Sequence, residues 1–183
     1  MRTLFSTCAA LAAWALGAMA VAANGYLLQP GDVLMVSVWK EADLTGDLLV
    51  RPDGTVTEPL VGEIEAAGHT VDEVRTAIDQ RLRKYVADPV VTVNVKQTLG
   101  NQIFVIGKVN KPGQYLINRP VDVVQALSLA GGMTPFASVA DIRVLRRHGE
   151  QQTEIPFRYN DIEHGRHLEQ NILLQSGDTV VVP

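Results

Sequence analysis

The chain has a single cysteine in 183 residues, Cys8, so everything after it is free of thiols. That excludes a disulfide framework, a thiolate metal cluster and a cysteine nucleophile from the body of the protein. Aromatic residues make up only 5%, and no basic patch interleaved with aromatics offers a platform for single-stranded nucleic acid. Positive charge is not in excess: 16 basic residues face 20 acidic ones, a formal −4, which argues against a nucleic-acid footprint. Beyond residue 23 no apolar run approaches the roughly 18 residues a spanning helix needs. There is no phosphate-cradling loop, and Ser6, Ser37, Ser128, Ser138 and Ser176 lack the context of a nucleophile elbow.

What is present is ordinary globular material, 46% hydrophobic and 20% charged. Residues 1–23 stand apart. Arg2 is their only charge, an apolar run fills residues 11–23, and small residues stand at Ala18, Ala20 and Ala23, the layout of a cleaved signal peptide. Cleavage after Ala23 is expected, and Cys8 goes with the discarded segment, preceded by too few residues for a lipoprotein leader. The mature chain then has 15 basic and 20 acidic residues and no cysteine, which suits an oxidising compartment.

Residues 50–68, VRPDGTVTEPLVGEIEAAG, organise the first half. Pro52-Asp53-Gly54 is a turn in which proline presets φ, the aspartate bonds its own backbone and glycine takes positive φ. Pro59 belongs at a strand end or edge, and Gly62 and Gly68 mark bends. Upstream, Pro30-Gly31-Asp32 turns into residues 33–39, an apolar β-branched strand expected to be buried on both faces; residues 40–47 read as a polar loop. Thr70 and Glu73 form a capping box opening a helix over residues 70–86, with Val71, Val74, Ile78, Leu82 and Tyr85 as its apolar face. Asp88-Pro89 stops it, and Val91, Val93 and Val95 alternate in the next strand. Arg81, Arg83 and Lys84 read as a solvated last turn.

Residues 99–102 read as the seam between two units. The second opens with a strand over 103–106 and Gly107. Pro112 and Gly113 stand at the centre of an expected type II turn, with residues 115–117 returning as partner strand. A short helix over 121–130 ends at Gly131-Gly132. Strands follow over 142–146 and 153–157, then a polar irregular stretch over 158–170, then a final strand within 172–182. One motif recurs: Leu27-Leu28-Gln29-Pro30-Gly31-Asp32 is echoed by Leu173-Leu174-Gln175-Ser176-Gly177-Asp178, each ahead of a valine-rich strand. The echo reads as one Gly-Asp turn used twice to launch a buried strand, rather than as ligand carboxylates.

Candidate chemistry is thin. Glu63 and Glu65 share one strand face, whereas glycoside cleavage needs carboxylates on opposite sides of the sugar. His164 and His167 stand three apart but with Gly165 between them, a loop rather than a metal helix. Trp39 reads as core or interface.

Together these motifs resemble the polysaccharide export proteins of the Wza type. Tyr26, Leu28, Pro30, Gly31, Asp32 and Leu34, then Val38-Trp39, Pro52-Asp53-Gly54, Pro59-Leu60-Val61-Gly62, Ala67-Gly68 with Thr70, and Asp88-Pro89 with Val91 are similar to the export domain. Val105, Gly107, Val109, Pro112-Gly113, Tyr115, Ala130-Gly131-Gly132, Leu174 and Gly177-Asp178 are similar to an SLBB (soluble-ligand-binding β-grasp) domain. The resemblance implies an α+β fold: an export domain over residues 24–98, a small sheet with one helix, followed by a β-grasp domain over 101–183. The motif residues are expected to be structural, with no catalytic, cofactor or metal site. The resemblance also implies a secreted ring of copies lining a route for exopolysaccharide or capsule, working with an inner-membrane chain-length regulator or tyrosine kinase and performing no reaction. Larger members have a lipobox, further β-grasp units and a C-terminal amphipathic helix. Their absence here leads to the expectation of a periplasmic component meeting a separate outer-membrane channel. The alternative is a monomeric periplasmic carbohydrate-binding adaptor.

Overall fold

A computed structural model describes residues 25–183; the expected signal peptide and Cys8 lie outside the described residues. β1 (Val33–Val38) is the middle strand of a three-stranded antiparallel sheet, flanked by β2 (Glu41–Leu49) and β5 (Val91–Gln97). Alternation along β1 sends Leu34, Val36 and Val38 to one face, where Val91 and Val93 of β5 join them in the core. Between β2 and β5 the chain makes the hairpin β3 (Thr55–Glu58) and β4 (Gly62–Glu65), then α1 (Val71–Leu82).

α1 forms because its capping box is complete. Thr70 Oγ1 accepts from the Glu73 N–H, and the Glu73 carboxylate accepts from the Thr70 N–H at 2.7 Å. It stays because Val74, Ile78 and Leu82, at helical spacing, bury fully against the same core as β1. Each such side chain stabilises the fold by about 1.5–3 kcal/mol, and truncating Ile78 to alanine would cost about 2–5 kcal/mol.

The second half is a five-stranded sheet in the order β7–β6–β10–β8–β9: β6 (Gln102–Gly107), β7 (Gly113–Leu116), β8 (Ile142–His148), β9 (Gln151–Phe157) and β10 (Thr179–Val182). β6 and β10 run parallel at its centre, and every other pairing is antiparallel. α2 (Val123–Leu129) packs Val123, Ala126 and Leu127 onto a separate core with Ile103, Val105, Val144, Phe157, Val180 and Val182. An antiparallel and a mixed sheet, each covered by a helix, make the chain α+β, with a grasp-like second half.

Five expectations are corrected. Residues 40–47 are not a loop: β2 pairs with β1 over most of its length. Its only buried side chains are Leu44 and Leu48, too sparse a pattern to read as a strand, and pairing with β1 overrides its polarity. β1 is buried on one face only; Met35, Ser37 and Trp39 face outward, because among the described residues no layer covers that side of the sheet. α1 stops at Leu82, leaving Tyr85 exposed, because the chain must turn through Asp88, at φ 48, to reach β5. Pro112-Gly113 is not a type II turn: Gly113 is not among the positive-φ glycines and already pairs with Val105 as the first residue of β7. Finally, residues 158–170 contain a short helix α3 (Tyr159–Glu163) and a 3-10 turn over Leu168–Gln170.

Candidate functional site

The sequence motifs gather at a junction, a hairpin and a loop pair. At the junction the two Gly-Asp turns grip the linker between the sheets. Gly31, at φ +97, follows Pro30 and donates its N–H to the Val50 carbonyl; the Val50 N–H returns to the Asp32 carbonyl. Asp32, fully buried, accepts from the Tyr26 hydroxyl (2.6 Å), the Gln29 N–H (2.9 Å) and, across the linker, the Gly100 N–H (2.9 Å). Burial and the Asp32 carboxylate together hold the Tyr26 phenol well above its ordinary range.

The second turn repeats this wiring. Gly177, at φ +86, donates to the Gln102 carbonyl, the Phe104 N–H donates to the Asp178 carbonyl, and the Gln175 N–H donates to the Asp178 carboxylate at 2.8 Å. Here, however, the carboxylate is forked by Arg146, with Nη2 at 2.7 Å and Nε at 3.0 Å. Next to it, Ser176 Oγ donates to the Gly100 carbonyl at 2.8 Å. Gly100 is thus held through its N–H by the first turn and through its C=O by the second. No side chain fits there: a Cβ would stand 2.3 Å from the Pro30 carbonyl oxygen.

In the hairpin region, Arg51 N–H donates to the Thr55 carbonyl and Gly54 N–H to the Arg51 carbonyl, each at 2.8 Å, closing the Pro52-Asp53-Gly54 turn. The Thr55 hydroxyl (2.7 Å) and N–H (3.0 Å) hold the Asp53 carboxyl below its usual range. The Gly54 carbonyl takes both the Ala66 and Ala67 N–H groups at 2.9 Å. Gly62, at φ +78, opens β4.

The loop pair joins the β6–β7 connection to the end of α2. Gly107 lies against β10, where a Cβ would be 1.9 Å from the Val182 carbonyl oxygen. Beyond it, Lys108 C=O accepts from the Thr134 N–H (2.9 Å), Asn110 N–H donates to the Gly132 carbonyl (3.0 Å) and Lys111 N–H to the Ala130 carbonyl (2.8 Å). Asn110 Nδ2 adds a bond to the Gly131 carbonyl at 2.7 Å. Gly131 and Gly132 end α2 through bonds to the Ser128 and Leu127 carbonyls. These external bonds, rather than a local turn, shape the Pro112-Gly113 bend.

None of this aligns a nucleophile with a base. Glu63 and Glu65 lie on one rim of an open groove of about 720 Å³ between β4 and α1. Arg51 pairs with Glu63 at 2.8 Å, and Arg81 Nη1 donates to the Glu63 carbonyl. His164 Nδ1 contacts the Asn160 carbonyl at 2.7 Å, and His167 contacts Glu169 at 3.0 Å, both at the surface. Among the described residues, no three His, Cys, Asp or Glu side chains group as metal ligands. Trp39 is 70% exposed and so is not a core residue; its N–H bonds the carbonyl of Val90, itself 61% exposed.

Five structural participants were not singled out in the sequence. Tyr26 appeared only as a motif letter, and Arg146 carried no local signal because its partner is 32 residues away. Glu58, on the inward face of β3, is buried, and burial alone raises its carboxyl to about 7; period-2 alternation with Val56 could have found it. Lys108 and Lys111 could have been found from the absence of acidic residues around them.

Comparison with known proteins agrees with the order of the motifs. Residues 20–96 match the polysaccharide biosynthesis/export protein family, and residues 101–182 match the SLBB domain. The chain is similar to the EPS I polysaccharide export outer membrane protein EpsA of Ralstonia nicotianae, with 33% identity over 91% of this chain and 49% of that protein. It is similar to the exopolysaccharide production protein ExoF of Rhizobium meliloti, with 32% identity over 73% of this chain and 34% of that protein. It is also similar to the capsule polysaccharide export outer membrane protein CtrA of Neisseria meningitidis, with 29% identity over 87% of this chain and 44% of that protein. The chain therefore spans half or less of the length of these relatives.

Proposed function

The chain belongs to the polysaccharide biosynthesis/export family and carries an SLBB domain behind its export domain, and from that premise we propose that it is a periplasmic component of an exopolysaccharide or capsule export machine. The family is one of transport proteins, not of enzymes. In this reading copies of the chain assemble into an oligomeric conduit. An inner-membrane chain-length regulator feeds it on one side, and the outer-membrane exit lies on the other. The domains divide at the linker, residues 24–98 and 101–183. The Pro, Gly and Asp motif residues act as structural members that fix turns rather than touching polymer.

The observation that carries the reading is the ordered pair of family matches over nearly the whole described chain. Two structural features support it. The Gly100 junction ties one domain to the other through both of its polar groups, which suits a subunit that must hold its shape in a ring. Trp39 and Val90 present apolar surface at one end of the first sheet, of the kind that self-association covers. Deleting the gene and measuring secreted against cell-retained polysaccharide tests the function: retention is expected, and normal secretion in a strain without a paralogue would overturn it. Sizing the mature protein tests the assembly; a monomer with oligosaccharide affinity would favour an adaptor role, and Trp39→Ser should shift a ring toward smaller species.

A further inference from the structure

We propose that the loop pair formed by residues 107–113 and 130–137 is a contact site for an anionic polysaccharide, with Lys108 and Lys111 pairing to acidic groups on the polymer and Phe136 stacking on a sugar ring. The proposal rests on the export reading above and names the class of polymer it would carry.

The charge pattern comes first. From Pro89 through Val121 the chain has no acidic residue, and residues 123–140 carry no charge at all. The two loops that zip together at this edge of the second sheet come from those two stretches, so the cations of the first loop meet only neutral chain in the second. Residues 101–183 as a whole hold eight basic and eight acidic residues, so the positive character is local to this edge rather than general. Elsewhere in this half, four of the six arginines have acidic partners, Arg146 with Asp178, Arg143 with Glu154, Arg158 and Arg166 with Asp161, while Arg119 and Arg147 lie outside the two loops. Lys108 and Lys111 are both exposed, and neither forms an ion pair among the described residues.

The second observation is the aromatic. Phe136 is 80% exposed, the most exposed large hydrophobic side chain among the described residues. It stands within a turn closed by the Ala137 N–H on the Thr134 carbonyl, and Thr134 is itself bonded to the Lys108 carbonyl at 2.9 Å. An exposed ring on a loop bonded to the one that carries two cations without ion-pair partners matches an acidic sugar, which offers an apolar C–H face and a carboxylate on one residue. Rigidity is the third element. Three backbone bonds and the Asn110 side chain tie the loops together before any ligand arrives, so little ordering is lost on contact.

The test uses the mature full-length protein with polygalacturonate as probe, neutral dextran as control and phosphatidylglycerol vesicles as the competing anionic surface. Polygalacturonate should bind more tightly than dextran, and the binding should weaken as salt rises. Lys108→Gln with Lys111→Gln should reduce it roughly fivefold, the scale expected for two exposed ion pairs. Lys108→Arg with Lys111→Arg should retain it, and Phe136→Ala should weaken it separately. Because these side chains are exposed, melting curves of the variants should match the parent. Equal affinity for dextran, no loss in the double glutamine variant, or a stronger response to vesicles would overturn the proposal. Export loss on gene deletion together with an unaltered double glutamine variant would sink this site while leaving the export reading in place.

Discussion

The same Gly-Asp turn is built twice and neutralised in two different ways. In the first sheet Asp32 is buried among donors that carry no charge: a tyrosine hydroxyl and the backbone N–H groups of Gln29 and Gly100. In the second Asp178 is buried against the Arg146 guanidinium. The backbone wiring is the same, so the difference lies in what the surroundings supply. Asp32 sits where the linker peptide passes and can be solvated by it. Asp178 faces β8, which can deliver a long basic side chain. A third buried carboxyl, Glu58, has neither, and its carboxyl rises to about 7 by burial alone. One chain therefore displays a carboxylate stabilised by charge, one by dipoles and one destabilised by desolvation.

The comparison can be tested by removing each group in turn. The largest effect is expected for Asp178→Ala, which strands Arg146 almost without solvent; urea unfolding should show a loss of about 3–5 kcal/mol. Asp178→Ala with Arg146→Met should recover part of it, and no recovery would mean the pair is not the relevant unit. Asp32→Ala orphans neutral donors instead, so a smaller loss of about 2–3 kcal/mol is expected, accompanied by faster hydrogen exchange at Gly100. Equal losses for the two aspartates would erase the distinction.

Glu58 should behave in the opposite sense. Its folded carboxyl titrates near 7 against an ordinary 4.5, so the folded state holds its proton more tightly than the unfolded one. Stability from this group is intact below about pH 4.5, declines as pH rises to about 7 and is lost above that. Glu58→Gln should therefore stabilise by about 1–3 kcal/mol at pH 8 and by little at pH 4; a gain independent of pH would contradict the burial account. The smallest effect is expected for Tyr26→Phe, about 1–2 kcal/mol for one hydrogen bond to a carboxylate, read from the shift in urea midpoint.

The parts that could be read in advance share a physical character. The Thr70–Glu73 box, the Pro52-Asp53-Gly54 turn and the Gly-Asp echo are all made by residues within a few positions of one another, and the structure places each as read. The misreadings depended on distant partners. β2 has a loop's composition and becomes a strand because β1 lies beside it. The outer face of β1 looks apolar in sequence, but none of the described residues forms a layer over it. Gly113 suggested a type II turn, yet the loop after α2 supplies the bonds that shape that bend. The asymmetry between Asp32 and Asp178 was invisible for the same reason: Gly100 is 68 residues from one and Arg146 is 32 residues from the other.

Sequence alone determined the local devices and the family likeness: where helices start, where glycine permits a turn, and how valines alternate. Those follow from backbone sterics and short-range hydrogen bonds, which need only neighbours along the chain. Tertiary structure alone decided what each buried carboxyl is bonded to, why Gly100 tolerates no side chain, and that two lysines meet only neutral chain. Those outcomes depend on dielectric and on close approach between segments far apart in sequence, and both exist only once the sheets have formed.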